Sequence, residues 1–219
     1  MLLSIFALWL TAFSISFSFL PMLQVFDWKR RGTAEGFSSI NFVLPCLMTA
    51  CWLRHGYMIN DKINMFINAA NIIIFTGYIS AFAYYQTKRK YLYGQLLGLF
   101  VSLYAIFTYV DSQPTDTAAD TMGSIAAAMQ IFSLTGQLYE IKRAISFKHT
   151  EYIPAELQFG IFALVTQWVI YALLIKNYYI AIANFAALIV NIITLSLFII
   201  YPPLTWRVPI FGTGPQKKD

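Results

Sequence analysis

The stretch from Asp61 to Tyr85, DKINMFINAANIIIFTGYISAFAYY, carries no charge after Lys62 yet holds three amides, Asn64, Asn68 and Asn71. An Asn side chain offers one acceptor oxygen and two N–H donors, and it does so without ionising. Unpaired polar groups in apolar surroundings are costly. Each amide must therefore either join helices, at about 0.6 to 2 kcal/mol per contact, or grip a polar ligand. One of the three has a twin. Asn68 follows Trp52 by 16 residues, and Asn184 follows Trp168 by the same 16. A facing pair of amides can hold several hydroxyls, and an indole adds a broad apolar face with an N–H handle. Asn68 and Asn184, each with its tryptophan, Trp52 and Trp168, are the uncharged groups whose types could hold and release a polar ligand. Asn64, Asn71 and Asn191 have no such twin and read as packing groups or helix-end groups.

The elements that position these residues follow from composition. The 219 residues are 58% hydrophobic and 11% charged, with mean hydropathy +0.61, whereas soluble domains are about 25% charged. An isoelectric point near 9.1 does not indicate nucleic acid, because the basic residues sit in short loops between apolar runs rather than on one face. A helix crosses the hydrocarbon core with roughly 20 apolar residues. Seven segments meet that length, over about residues 3–26, 38–59, 63–86, 91–110, 121–141, 155–175 and 178–201. The fifth is the least apolar, and its Gly123, Ser124, Ala126, Ala127 and Ala128 suit close helix packing. The runs are continuous, unlike the alternating strands of a barrel of about ten residues each. The fold expected is an all-α membrane protein. The first segment lacks a basic leader and is followed by DWKRR, so it reads as a retained helix rather than a signal peptide.

Charge sets the expected orientation. With the N-terminus outside, the inner loops and tail hold Lys29, Arg30, Arg31, Lys88, Arg89, Lys90, Lys142, Arg143, Lys148, Arg207, Lys217 and Lys218, which is 12 of the 15 Lys and Arg. The outer loop DSQPTDTAAD is acidic. Arg54 and His55, near the outer end of the second segment, are expected to be solvated or snorkelling. Cys46 and Cys51 lie five apart on one helix, poorly placed to bridge, and no Cys/His metal spacing or N-glycosylation sequon occurs.

The chain repeats itself. Residues 51–73 align without a gap on residues 167–189, at an offset of 116 that matches Trp52 to Trp168, Ile59 to Ile175, Asn68 to Asn184, Ala70 to Ala186 and Ile73 to Ile189. Segments 1–3 (residues 3–86) and 5–7 (residues 121–201) are expected to be two copies of one three-helix unit. Segment 4 (residues 91–110) has no counterpart, and residues 202–219 form a cytosolic tail. Three crossings per copy is an odd number, so a direct fusion would invert the second copy. The extra crossing restores a parallel repeat, with the site expected at the interface of the copies.

The residues FLPMLQVFDWKRRGTAEGFSS, CWLRHG, INAAN, ISFKHTEYIP, TQWVIYALL, YYIAIANFA and IIYPP resemble those of the SWEET (MtN3/saliva) family of sugar transporters, over about residues 5–203. The resemblance implies two parallel three-helix bundles joined by a linker helix (3+1+3) and facilitated diffusion of mono- or disaccharides. It also implies that Asn68 and Asn184 bind the sugar while Trp168 and Trp52 line the cavity. A sugar's hydroxyls and apolar C–H face suit amides and indoles. The family usually carries four helix prolines, which let a rocking bundle bend. Pro21 and Pro154 match two of them, and both also fit the plainer role of marking helix ends. Asn41 and Gln137 stand at the other two places, with Pro45 one turn after Asn41 and Gly136 beside Gln137 as substitute sources of flexibility.

No acid or histidine lies mid-span, where a proton relay would need one, and no nucleotide motif, nucleophile–base pair or metal cluster occurs. The expectation is a uniporter, not an enzyme, with no cofactor. Its partners are a small-molecule sugar and membrane lipids, with a homo-oligomer allowed and no nucleic acid. The expected location is the plasma membrane, with Golgi or another endomembrane as the alternative. A PQ-loop transporter of another small solute would show Pro-Gln on segments 1 and 5, where this chain reads L-P-M and G-Q-L. A seven-helix receptor has no need of twin halves.

Overall fold

A computed structural model of the chain describes residues 2–35 and 37–215; Lys217 and Lys218, counted above among the inner basic residues, lie outside them. Among the described residues there are nine helices and no strand: α1 (Leu2–Ser18), α2 (Met22–Arg31), α3 (Ile40–Met58), α4 (Lys62–Tyr85), α5 (Lys90–Asp111), α6 (Ala118–Ser133), α7 (Thr135–Phe147), α8 (Ala155–Leu174) and α9 (Tyr178–Ile200). α1 with α2 and α6 with α7 are each one interrupted segment, so the nine helices make seven segments. Five stretches are long and apolar enough to cross a membrane by length and composition: Leu2–Arg31, Lys62–Tyr85, Lys90–Asp111, Ala155–Leu174 and Tyr178–Ile200. The remaining two segments are diluted by Asn41, Arg54 and His55 in α3 and divided at Leu134 between α6 and α7.

The first and fifth segments run further than hydropathy foretells, to Arg31 and Phe147 rather than to about 26 and 141. Helical geometry outlasts the apolar run because the added turns carry their own support. Lys29, Arg30 and Arg31 sit at the negative end of the α2 dipole, with Arg30 2.6 Å and Arg31 3.6 Å from Asp27. In α7, Arg143 pairs with Glu140 at 3.0 Å. Each of these helices then stops on a left-handed residue, Gly32 (φ 72°) after α2 and Lys148 (φ 56°) after α7. These two positions are also 116 apart.

The sharpest repeat is the turn that joins α3 to α4 and α8 to α9. Asn60 and Lys176 both have φ 57°. The N–H of Asp61 bonds the carbonyl of Gly56 at 2.8 Å, and that of Asn177 bonds Ala172 at 2.9 Å; Asn60 bonds Tyr57 at 3.3 Å, and Lys176 bonds Leu173 at 3.2 Å. This is a Schellman motif in both copies, and its last residue immediately caps the next helix. Asp61 accepts from the N–H groups of Ile63 and Asn64 (both 3.1 Å), and Asn177 from that of Ile180 (3.2 Å).

The chain divides into two compact units, Met1–Ala126 and Ala127–Asp219, with the boundary inside α6. In the first, Trp28 is fully buried at the basic end and meets Phe37, Phe42 and Phe82 edge-on at 5.5 to 5.7 Å. Such aromatic pairs add about 0.5 to 1.5 kcal/mol each beyond area, which matters where lipid supplies no hydrophobic drive between helices. α5 lies parallel to α3, tied at one end by Ser39 to Gln95 and at the other by Arg54 to Asp111.

In the second unit the place of Phe82 is taken by Phe198 and that of Trp28 by Ala144, a hole by comparison. The tail fills it. Trp206 packs edge-on to Phe198 at 6.1 Å, and Val208 joins Ile141, Ala144, Ile153 and Phe198 in one core. Glu151, between α7 and α8, accepts from the N–H groups of Leu204 (2.6 Å) and Thr205 (3.1 Å) and from the Thr205 hydroxyl. The hydroxyl bond first, then the backbone N–H groups, holds its carboxyl below the usual carboxylate range.

The paired left-handed caps yield a direct test. A Cβ at Gly32 would meet no atom within 4 Å, so only its positive φ opposes a side chain. Gly32→Ala should destabilise by about 1 kcal/mol, and Lys148→Gly should stabilise by a similar amount. Thermal unfolding of the two variants in detergent reads opposite shifts from wild type; shifts of the same sign would contradict the assignment.

Candidate substrate-binding residues

Asn68 lies on α4, two turns beyond the Asp61 cap, and is 7% exposed. Its Nδ2 donates to the backbone oxygen of Asn64 at 2.9 Å and to the Asn64 Oδ1. No donor among the described residues bonds the Oδ1 of Asn68. Asn64 is itself buried and presses on Gly56, where an added Cβ would stand 3.1 to 3.3 Å from it. That close approach sets the α3–α4 register. Trp52, one turn back along α3, and Asn68, one turn along α4, therefore share a level.

Trp52 is buried and meets His55 edge-on at 5.8 Å. His55 is not solvated as expected. It is 1% exposed, with Nδ1 3.1 Å from the carbonyl of Ala119 at the start of α6. Arg54 does not snorkel freely either: it pairs with Asp111 and lies 4.7 Å over the Phe107 ring.

The second unit holds its amide differently. Asn184 on α9 is also 7% exposed, and its Nδ2 donates to the Ile180 carbonyl at 2.9 Å, the same bond to the fourth preceding residue. Its Oδ1 accepts from Nε2 of Gln130 on α6 at 3.3 Å. Ile180 takes the place of Asn64, and the residue 116 before Gln130 is Ser14, buried with an unpartnered hydroxyl. Trp168 is half-buried and meets Tyr171 edge-on at 5.8 Å, matching the Trp52–His55 pair position for position. Gln130 escaped the sequence reading; a long amide in the small-residue segment, at the position matched by Ser14 at the 116-residue offset, was its only signal.

The unmatched amides join helices. Asn71 accepts from the Ser18 hydroxyl at 2.7 Å, tying α1 to α4. Asn191 is fully buried and donates to the carbonyl and side-chain oxygens of Gln158 at 3.1 and 2.9 Å, tying α9 to α8. In the other copy each pair is apolar. Leu134 and Ala187 pack with Val165 where Ser18 and Asn71 stand, and Phe42 and Phe75 flank Tyr78 at 5.7 and 6.2 Å where Gln158 and Asn191 stand.

The candidate hinges fall at three kinds of place. Pro21 sits in the break after α1, where Met22 bonds Phe19 at 2.9 Å and Gln24 bonds Pro21 at 3.0 Å in short turns. Leu134 interrupts the fifth segment 116 residues after Ser18 with no proline present, its N–H bonding Ile131 at 3.1 Å. Gln137 follows in the first turn of α7 with its side-chain oxygen buried and unpartnered. Pro45 lies inside α3 and leaves the carbonyl of exposed Asn41 without its helical partner. Pro154 stands just before α8 rather than within it, in an extended conformation (ψ 114°).

A family model described as "Sugar efflux transporter for intercellular exchange" matches residues 1–90 and 120–205, leaving out all of α5 but its first residue. The bidirectional sugar transporter SWEET13 of Oryza sativa subsp. japonica is 26% identical over 196 residues, covering 87% of this chain and 65% of its own length. The sugar transporter SWEET1 of Drosophila pseudoobscura pseudoobscura is 23% identical over 181 residues, covering 81% and 80%. This chain thus spans about two thirds of the rice relative. A solved eukaryotic SWEET transporter superposes with a TM-score of 0.80 at 18% identity, covering 92% of this chain and 99% of that one, and so shares the fold. With a duplicated three-helix pattern around an unmatched helix and most of its length matched by one model, this integral, multi-pass membrane protein belongs to the MtN3/saliva, or SWEET, family.

Proposed function

We propose that the chain carries sugars across a membrane by facilitated, bidirectional diffusion, exposing one binding site alternately to either side. The observation that carries this reading is the matched pair Asn68 and Asn184. Each is buried, each anchors its amide nitrogen on the fourth preceding carbonyl, and each follows its tryptophan by the same number of residues. Family membership supports the substrate class. The units of the transport cycle are residues 3–86 and 121–201, with 91–110 as linker and a cytosolic tail beyond, and the N-terminus outside at the plasma membrane.

Energy coupling is absent in this reading. The acids of the membrane segments, Asp27, Asp111, Asp120, Glu140 and Glu156, all lie within about two turns of an end of their segment, where none can relay a proton through the span. Uptake of labelled glucose into proteoliposomes is expected to run downhill in both directions and to be unchanged by a pH gradient. A several-fold rise on acidifying one side would overturn uniport.

The amide pair gives the decisive variants. Asn68→Ala and Asn184→Ala should each lower uptake per folded protein by roughly five- to 150-fold, the cost of about 1 to 3 kcal/mol for unpaired buried groups. Asn71→Ala and Asn191→Ala should keep most activity at some loss of stability. Normal transport by the first two with failure of the second two would remove Asn68 and Asn184 from the site.

Bending in this reading occurs at Phe19–Pro21 and at Leu134, with Pro45 and Asn41 loosening α3 and Pro154 fixing the start of α8. Gln137 lies in the first turn of α7, where a proline costs no helical bond. Gln137→Pro should therefore fold and transport near the wild-type level; melting lowered by several degrees would show that its amide, not the break, is needed.

A further inference from the structure

The two binding amides are not equivalent as hydrogen-bonding groups. Both N–H bonds of Asn68 are spent, one on the Asn64 backbone oxygen and one on the Asn64 Oδ1. An amide nitrogen has two hydrogens and no more. Asn68 therefore faces a ligand with its Oδ1 alone. The opposite rotamer would set this oxygen against the two oxygens of Asn64, so the orientation is locked. Asn184 spends one N–H on Ile180 and receives one bond at Oδ1 from Gln130, which leaves it an N–H to give.

We propose that the site has a fixed polarity: Asn68 acts only as an acceptor, Asn184 acts as the donor, and Asn64 and Gln130 are the positioning residues that impose this difference. The inference rests on the sugar-binding reading of Asn68 and Asn184. It specifies that reading further: the sugar must bring a hydroxyl proton to Asn68 and need bring only an acceptor oxygen to Asn184. The sequence difference responsible is Asn64 against Ile180 and Gln130 against Ser14.

Sugar analogues separate donor from acceptor. A deoxy position can neither give nor take a hydrogen bond, whereas a fluorine at the same position accepts weakly and never donates. Competition by the monodeoxy and monofluoro glucose series against labelled glucose in proteoliposomes should find one ring position where both replacements weaken inhibition by roughly tenfold or more. At a second position the deoxy sugar should fail while the fluoro sugar still competes. The variant Asn64→Ile, which copies Ile180 of the second unit, frees one Asn68 N–H. It should restore competition by the fluoro sugar at the first position only, which a purely structural role for Asn64 would not do.

Wild-type protein that tolerates fluorine at every position where a hydroxyl matters would overturn the fixed polarity without any variant being needed. Unchanged fluorine intolerance in folded Asn64→Ile would remove Asn64 from its positioning role. Normal uptake by Asn68→Ala and Asn184→Ala would instead defeat the sugar-binding reading beneath it, so the two failures are distinct.

Discussion

The turn that ends α3 and begins α4, repeated between α8 and α9, is the constraint on which the rest of each unit depends. A Schellman cap and an N-cap share a residue, Asp61 in one copy and Asn177 in the other, so no slack separates the two helices. Backbone groups in a bilayer must be paired within the protein, and this turn pairs them in the fewest residues available. Its consequence is register. Seven residues beyond the shared cap, roughly 10 Å along the helix, comes Asn68 or Asn184, and one turn before the Schellman carbonyl comes Trp52 or Trp168. Depth and partner are fixed together by a motif that touches no ligand.

Around that fixed frame the copies have drifted in a regulated way. Where one unit joins its helices with a polar pair, the other uses apolar packing, as Ser18–Asn71 against Leu134–Ala187 and Phe42–Phe75 against Gln158–Asn191 show. Either solution is viable because helix association in lipid rests on fit and on modest hydrogen bonds alike. Each exchange takes both members of a pair at once. A lone Asn left facing Leu would be an orphaned amide in apolar surroundings.

Much of this was readable in the residues. The Trp-to-Asn spacing and the offset of 116 survive because identities persist at the positions that the turn controls. Besides Gln130, three things were hidden, each for a physical reason. The extra turns of α2 and α7 carry charge, so hydropathy ends before the helix does. The break at Leu134 has no proline to announce it, since a helix can be interrupted by i→i+3 bonding without one. His55 looked like a solvated end residue because its local sequence is polar, yet it is buried and its ring meets the Ala119 carbonyl, a contact 64 residues away along the chain that no local pattern encodes.

The tail has a consequence of a different order. In the first unit the large aromatic at the basic end, Trp28, belongs to the helix itself; in the second, the helix offers only Ala144 and the indole arrives from Trp206, beyond the last helix. A three-helix copy excised at the end of α9 would therefore not be a finished object. Modularity here is one-sided. The first half carries its large aromatic within its own helices, whereas the second draws part of its interior from residues beyond α9. A swap of halves between relatives must carry residues 201–215 with the second half or leave a cavity where an indole should be.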